Sequence, residues 1–322
     1  MAKRKLTHQQ QRRIRTARER KHQLPEGELG ESRMGVVIAR FGQRALVEDS
    51  DGERRQCVMR ANIDSLVAGD VVIWRPSEET GVIESRDERR SELSRPDSRG
   101  NLRPVAANID LMFVVFAPKP EPHGNLIDRY LVAAEHAGME AVLVLNKRDL
   151  LTDNDPVLAL AESYTALGYT LIKTDKETDP HADLIRPVAQ DRTLVLVGQS
   201  GVGKSSLINR LIPDLDIRVG ALSEAIDKGR HTTTAAELYH LPSGGDLIDS
   251  PGIREFHLHH LPAHEVAHGF KEFSEYLGHC RFRDCQHDHE VGCAILEALE
   301  KGEITETRFN SYRSIVDAPR PD

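Results

Sequence analysis

Residues 193–206 read Thr-Leu-Val-Leu-Val-Gly-Gln-Ser-Gly-Val-Gly-Lys-Ser-Ser, and their reading decides the fold class. Leu194, Val195, Leu196 and Val197 form a short continuous apolar run, as in a strand buried on both faces. Gly198-x4-Gly203-Lys204-Ser205 then fits the phosphate-loop pattern at the start of a predicted helix, 204–211. Glycines there let the backbone turn tightly, so that successive N–H groups converge on phosphate oxygens. Lys204 brings positive charge to the β and γ phosphates and is a catalytic candidate, while the Ser205 hydroxyl suits Mg²⁺. Gly198, Gln199, Ser200, Gly201, Val202, Gly203, Lys204, Ser205 and Ser206 form the phosphate side of a nucleotide site.

The surrounding texture agrees. Apolar strands are predicted at 111–117, 141–145, 169–173, 194–197, 236–241 and 246–248, with helical patterns at 126–136, 157–167 and 204–211. Strands alternating with crossover helices mean a parallel sheet covered on both faces. Asp249-Ser-Pro-Gly252 closes one strand, where Asp249 can hold the Mg²⁺ shell and the Gly252 N–H can meet a γ-phosphate. Before it lies Gly229-Arg-His-Thr-Thr-Thr234. One of Thr232, Thr233 and Thr234 completes the shell, with Thr233 as the candidate carried forward.

Asn146-Lys147-Arg148-Asp149 ends another strand. In an N-K-x-D turn the Asp carboxylate accepts from guanine N1–H and the exocyclic amine. Adenine has no amine there and its N1 is an acceptor, so a site built on this pairing selects guanine. That argues against an ATP-dependent enzyme. The order is unusual, because the base motif precedes the phosphate loop instead of following it. Cutting a doubly wound domain in a loop and rejoining its ends preserves the sheet, so the site can still close. The switch after Asp249 then leads straight into the C-terminal segment.

The whole chain has 322 residues, 39% hydrophobic and 29% charged, enough for two or three packed domains and against a disordered or fibrous protein. No apolar stretch approaches the roughly 20 residues of a membrane span, and no apolar block follows the basic start as in a secretory signal. A cytoplasmic protein is expected. Met1 to His22 carries nine basic residues and one acid, which leaves −16 on the other 300 residues of a chain with net charge −8. A basic arm on an acidic body reads as a contact for nucleic acid. Five short strands at 34–39, 43–47, 56–59, 70–74 and 81–85, with a hairpin signal at Ser50-Asp51-Gly52, suggest a five-stranded OB-fold barrel. Phe41 and Trp74 are its few aromatics for base stacking. Residues 24–32 and 94–104 read as linkers.

Cys280-x4-Cys285-x-His287-x5-Cys293 supplies three thiolates and one imidazole, the number for a closed tetrahedral Zn²⁺ site. His279 and His289 are rival imidazoles. Arg281 and Arg283 beside the ligands suit phosphate contacts, and Cys57 reads as barrel core.

Taken together, the phosphate loop, Asp249-Ser-Pro-Gly252, Asn146-Lys-Arg-Asp149, Arg230-His-Thr-Thr-Thr234, Ala106-Ala-Asn-Ile-Asp110, the small barrel and the Cys/His cluster resemble a known family. It is the circularly permuted GTPases of bacterial small-subunit ribosome biogenesis, the RsgA (YjeQ) family, over most of the chain from about Met34. The resemblance implies a multidomain α/β protein with an N-terminal OB-fold (34–93), a circularly permuted P-loop GTPase domain (94–255) and a C-terminal helical zinc-binding domain (256–322), after a basic tail (1–33). It also implies GTP hydrolysis stimulated by the 30S subunit, contact with 16S rRNA late in its maturation, and His287 as the zinc-binding imidazole. A monomer without membrane attachment is expected. The second base-contact loop departs from the family, with Thr174-Asp175-Lys176 in place of Ser-Ala. Ile253 stands where Ras-like enzymes carry a water-orienting Gln, so slow intrinsic hydrolysis is expected, with His231 the internal candidate for positioning water. The alternative is an RNA-binding module that uses GTP as a conformational ligand with negligible turnover.

Overall fold

The computed structural model describes residues 29–63, 65–78, 80–97, 101–213, 215, 236–249, 258 and 261–318. The basic arm, 1–28, lies outside the described residues. The first five strands are β1 (Arg33–Phe41), β2 (Arg44–Asp49), β3 (Arg54–Met59), β4 (Val71–Pro76) and β5 (Gly81–Arg86). β1, β2 and β3 form an antiparallel meander, β5 lies parallel to β3, and β4 pairs with both β5 and β1 to close the barrel. This is the five-stranded OB topology that the spacing of the strands predicts. Alternate side chains fill the interior: Val37, Ala45, Val47, Cys57, Val72, Trp74 and Ile83 pack with Leu66. A Cβ at Gly81 would lie 2.5 Å from the Cys57 sulfur and 2.7 Å from the Trp74 ring, so only glycine admits the indole. Trp74 is 1% exposed and therefore cannot stack on a base; Phe41, at 56%, remains on the surface.

The stretch expected to be a linker instead contains a hairpin, β6 (Glu92–Pro96) against β7 (Leu102–Ala107). Its composition misleads because Leu93, Ala106 and Ala107 are buried there and Val105 packs against the core, but Arg95, Leu102 and Arg103 are exposed and turn-type residues stand between them.

The α/β unit contains β8 (Leu111–Phe116), α1 (Gly124–His136), β9 (Glu140–Leu145), α2 (Pro156–Ala166), β10 (Thr170–Lys173), α3 (Arg186–Ala189), β11 (Thr193–Val197), α4 (Lys204–Leu211), β12 (Glu237–His240) and β13 (Asp246–Asp249). Asp155 caps α2 by accepting from the Val157 N–H, and Pro156 stands at its first turn, where a missing N–H costs nothing. The sheet order is β10-β9-β8-β11-β13-β12, parallel except for the last strand. All six residues of β8 are buried. Met112, Val114 and Phe116 face one core, and Leu111, Phe113 and Val115 face the other, beneath α4. That alternation explains why central strands read as unbroken apolar runs.

β12 pairs on its other side with β1, in register at Ala39 and Glu237, so one sheet runs from the α/β unit into the barrel. Beside this seam, His240 Nε2 lies 2.5 Å from Glu48 Oε1 and Nδ1 lies 2.6 Å from Asp246 Oδ1. The C-terminal segment contributes α5 (Ala263–His268), a 3-10 helix (Lys271–Phe273), α6 (Ala294–Glu300) and α7 (Glu306–Val316). α5 and α7 pack on α1. Phe270, Phe273 and Tyr312 form an aromatic cluster there, and Arg308 of α7 is buried between Asp128 of α1 and Glu272.

Candidate functional site

The phosphate-loop residues turn at the carboxyl end of β11, the end of a parallel sheet where ligands bind. Gly198, Gly201 and Gly203 all have positive φ, and Gly203 at +100° precedes α4. A Cβ on Gly203 would lie 2.4 Å from Asn146 Nδ2, so glycine is what lets the two motifs touch. Lys204 Nζ donates to the carbonyls of Gly198 and Gln199 at 2.6 and 2.8 Å, lying across the loop it serves. Val202 is buried beneath the loop, while Ser200 and Gly201 are exposed and Ser205 and Ser206 half-buried on the first turn of α4.

The base motif comes to the same place from β9. The Asn146 N–H donates to the Phe116 carbonyl, and its side-chain amide donates to the Val202 carbonyl at 2.9 Å. Lys147 has φ +57°, and its Nζ donates to the Gly201 carbonyl at 2.6 Å and to the Lys119 carbonyl at 2.8 Å. The pattern names Lys147 as a nucleotide residue. Its left-handed backbone and its role as a strut between loops are not visible in the pattern. Arg148 and Asp149 follow in an exposed 3-10 turn, Arg148–Leu150. The Arg148 N–H donates to the Thr174 carbonyl, and the Thr174 N–H to the Leu145 carbonyl, which seats the turn on the loop after β10. In that loop Thr174 and Asp175 are buried, and the Thr174 hydroxyl donates to Asp179 of the same loop. The Asp175 carboxylate accepts from the N–H groups of Glu177 and Thr178; burial pushes its carboxyl up, but these bonds and the Thr178 hydroxyl hold it below its ordinary value.

Asp249 ends β13 beside β11. Burial lifts its carboxyl to about 6, helped by Glu237 directly opposite in the β12–β13 ladder and opposed by Lys204. Sequence reasoning missed Glu237, since only the strand register brings it to Asp249. The hydroxyl of Ser205 and the carboxylate of Asp249 are hard oxygen donors, which suits Mg²⁺. The positions of Thr233, His231 and the rest of Gly229-Arg-His-Thr-Thr-Thr234, and those of Ser250, Pro251, Gly252 and Ile253, lie outside the described residues.

The second site is the cysteine cluster. One ligand atom each from Cys280, Cys285, His287 and Cys293 all lie within 4.8 Å of one another. The Cys280 and Cys293 sulfurs are 3.9 Å apart, and His287 Nδ1 is 3.6 Å from Cys280 and 3.4 Å from Cys293. Zinc bonds of about 2.3 Å to sulfur and about 2.0 Å to nitrogen place tetrahedral ligands about 3.5–3.8 Å apart, so the set fits that ion. Burial and the neighbouring thiols push Cys285 up to about 12, a state that a bound cation would reverse. The rival imidazoles stay outside: His289 pairs with Asp288 at the surface, and His279 is exposed. Tyr312 donates to the Gln286 carbonyl at 3.0 Å, holding the ligand loop on α7.

The sequence profile described as RsgA GTPase matches residues 86–259 of the 322. The chain belongs to the RsgA GTPase family. A small ribosomal subunit biogenesis GTPase RsgA of Chromohalobacter salexigens is 54% identical, over 91% of this chain and 88% of that protein. One from Pseudomonas aeruginosa is 51% identical over 98% of each. Among solved structures, YjeQ from Thermotoga maritima matches with a TM-score of 0.75 at 33% identity, covering 90% of this chain and all of that one. YloQ, described as a circularly permuted GTPase, matches at 0.72 with 29% identity over 93% of this chain and all of that one. The permuted order shows in this RsgA sheet: β9, which leads into Asn146, and β8 both precede β11 in the chain, with β8 directly beside β11 and β9 one strand further out. Among the described residues no helix is long and apolar enough to cross a membrane.

Proposed function

We propose that this RsgA chain hydrolyses GTP on the small ribosomal subunit and assists late steps of that subunit's maturation in the cytoplasm. The observation that carries the reading is the bond from the Asn146 amide to the Val202 carbonyl, which sets the guanine motif against the phosphate loop in a chain of this family. The names of its close relatives supply the ribosomal partner.

In this reading the main-chain amides of 198–204 hold the triphosphate and Lys204 turns from its carbonyls to the γ-phosphate. Asn146 and Lys147 brace the loops, Arg148 flanks the base, and Asp149 pairs with guanine. Ser205, Thr233 and Asp249 would hold Mg²⁺, which when bound would offset negative charge on the phosphates. His231 positions the attacking water. Cys280, Cys285, His287 and Cys293 hold a structural Zn²⁺ with no open position for chemistry. The barrel (34–93), the GTPase unit (94–255) and the zinc domain (256–322) act as one monomer gripping 16S rRNA, with Arg281 and Arg283 as phosphate contacts and the basic arm as a further anchor.

Phosphate release measured alone, with 30S and with 50S subunits tests the reading. Slow release alone and a rise of at least about tenfold with 30S only is the expected result. Equal rates in all three would leave a GTP-binding module without ribosome-dependent turnover.

A further inference from the structure

We infer that Arg210 is the positioning residue that couples the phosphate-binding helix to the guanine pocket and thereby sets base selectivity. The inference rests on the reading that Asp149 pairs with guanine. Arg210 lies on the last turn of α4, the helix that Lys204 and Ser205 begin. Its side chain is 9% exposed and that of its partner Asp179 is 5% exposed. Among the described residues its hydrogen bonds are made by one nitrogen, Nη2: to the Thr174 hydroxyl oxygen at 2.7 Å, to the Asp179 carbonyl, and to Asp179 Oδ2 at 3.1 Å. The Thr174 hydroxyl in turn donates to Asp179 Oδ2 at 2.7 Å, so both its proton and a lone pair are committed.

Thr174 is the residue on which the base motif rests. Its carbonyl accepts the Arg148 N–H, one residue before Asp149. Arg148 Nε also stands 4.0 Å from the Asp175 carboxylate. A continuous path therefore runs from α4 through Arg210 and Thr174 to the turn that carries Asp149. An α-helix is stiff along its axis, so the end that receives phosphate and the end that holds the pocket wall move together. The Arg210 Nε is buried without a hydrogen-bond partner among the described residues. A buried unpaired donor costs free energy, and the three contacts of Nη2 are what offset it.

The discriminating measurement is the affinity ratio of guanosine to inosine diphosphate, by competition against a fluorescent nucleotide on the full chain with Mg²⁺. Inosine lacks only the exocyclic amine, so the ratio reports the aim of the Asp149 carboxylate. A merely structural residue would lower the unfolding midpoint and leave the ratio alone. Arg210→Met is expected to reduce the ratio at least about fivefold, the size of one misaligned charged hydrogen bond. Arg210→Lys, with three donors of its own, is expected to recover part of it. Thr174→Val removes the shared hydroxyl without touching the charge pair and is expected to act in the same direction, which keeps the test open if Arg210→Met does not fold.

Asp149→Asn in the otherwise unaltered chain separates the two readings. Its amide donates to the oxygen that xanthine carries in place of the amine, so preference is expected to move from guanosine to xanthosine diphosphate. If it moves and the Arg210 and Thr174 variants keep the original guanosine-to-inosine ratio, the role of Arg210 is refuted and the base reading stands. If Asp149→Asn changes no preference, the base reading itself fails and takes the inference with it.

Discussion

The Asn146 amide donates to the Val202 carbonyl across 2.9 Å, joining segments 56 residues apart. In a chain whose base motif precedes its phosphate loop, this contact brings the two motifs together. Asn146→Ala leaves a buried carbonyl without a donor, at a cost of about 1–3 kcal/mol. Urea unfolding is expected to show that loss, and nucleotide competition a fall in affinity of about tenfold. An unchanged affinity would mean that the loops hold their places without the bond.

Lys204 is the charge inside the phosphate loop. Lys204→Ala is expected to lower phosphate release by about 100-fold, the scale of removing one electrostatic stabiliser from a transition state. The secondary-structure signal in circular dichroism should not change, because Leu207, Ile208 and Leu211 still bury α4.

Zinc content gives a third test. The purified chain is expected to carry one zinc, and Cys285→Ser close to none. With three ligands left, the unfolding midpoint should fall by about 5 °C or more, since metal binding adds directly to the stability of the fold around it. A variant that loses the metal at an unchanged midpoint would make the cluster dispensable to folding.

Arg308 joins the C-terminal segment to α1 through two carboxylates, with its side chain 8% exposed against 3% for Asp128 and 9% for Glu272. Arg308→Met strands two buried acids, and breaking such a set costs about 3–5 kcal/mol. Adding Asp128→Asn and Glu272→Gln removes the stranded charge and should recover most of that loss in denaturant titrations.

His240 makes the seam between barrel and sheet sensitive to pH. Burial pulls its pKa down, but hydrogen bonds and charge from Asp246 and Glu48 leave it above the ordinary 6.5. A raised folded pKa means that the stabilisation is complete below about pH 6.5 and is lost as pH rises through the folded value. The side chain is half exposed, so the effect is held to about 1 kcal/mol or less. The pH profile of stability of His240→Gln should lack this decline, and an identical profile would remove His240 from the seam.

What the sequence shows and what it hides follow one physical division. Phosphate, guanine and zinc each require particular atoms at fixed spacing, so Gly198 to Ser206, Asn146 to Asp149, Asp249 and the Cys280 cluster stand out as candidates without a structure. Strand pairings that use only backbone groups leave no such mark. The β1–β12 junction at Ala39 and Glu237 is therefore invisible in the sequence, and with it the fusion of barrel and sheet. The β6–β7 hairpin hides for another reason, since β6 has one apolar residue besides its proline, Leu93, and Arg103 and Pro104 interrupt β7. Trp74 looks like a stacking platform by type and proves to be barrel core, because Gly81 makes room for it. Arg210 and Glu237 carry no motif; only the fold places them beside Thr174 and Asp249.

A crystal structure with a non-hydrolysable GTP analogue and Mg²⁺ tests the central claim most directly. The expected result places both Asp149 carboxylate oxygens within about 3.2 Å of the purine N1 and exocyclic amine, with the triphosphate seated on the amides of 198–204 and Lys204 released from its carbonyls. A purine remote from Asp149, or a triphosphate held away from Lys204, would contradict it.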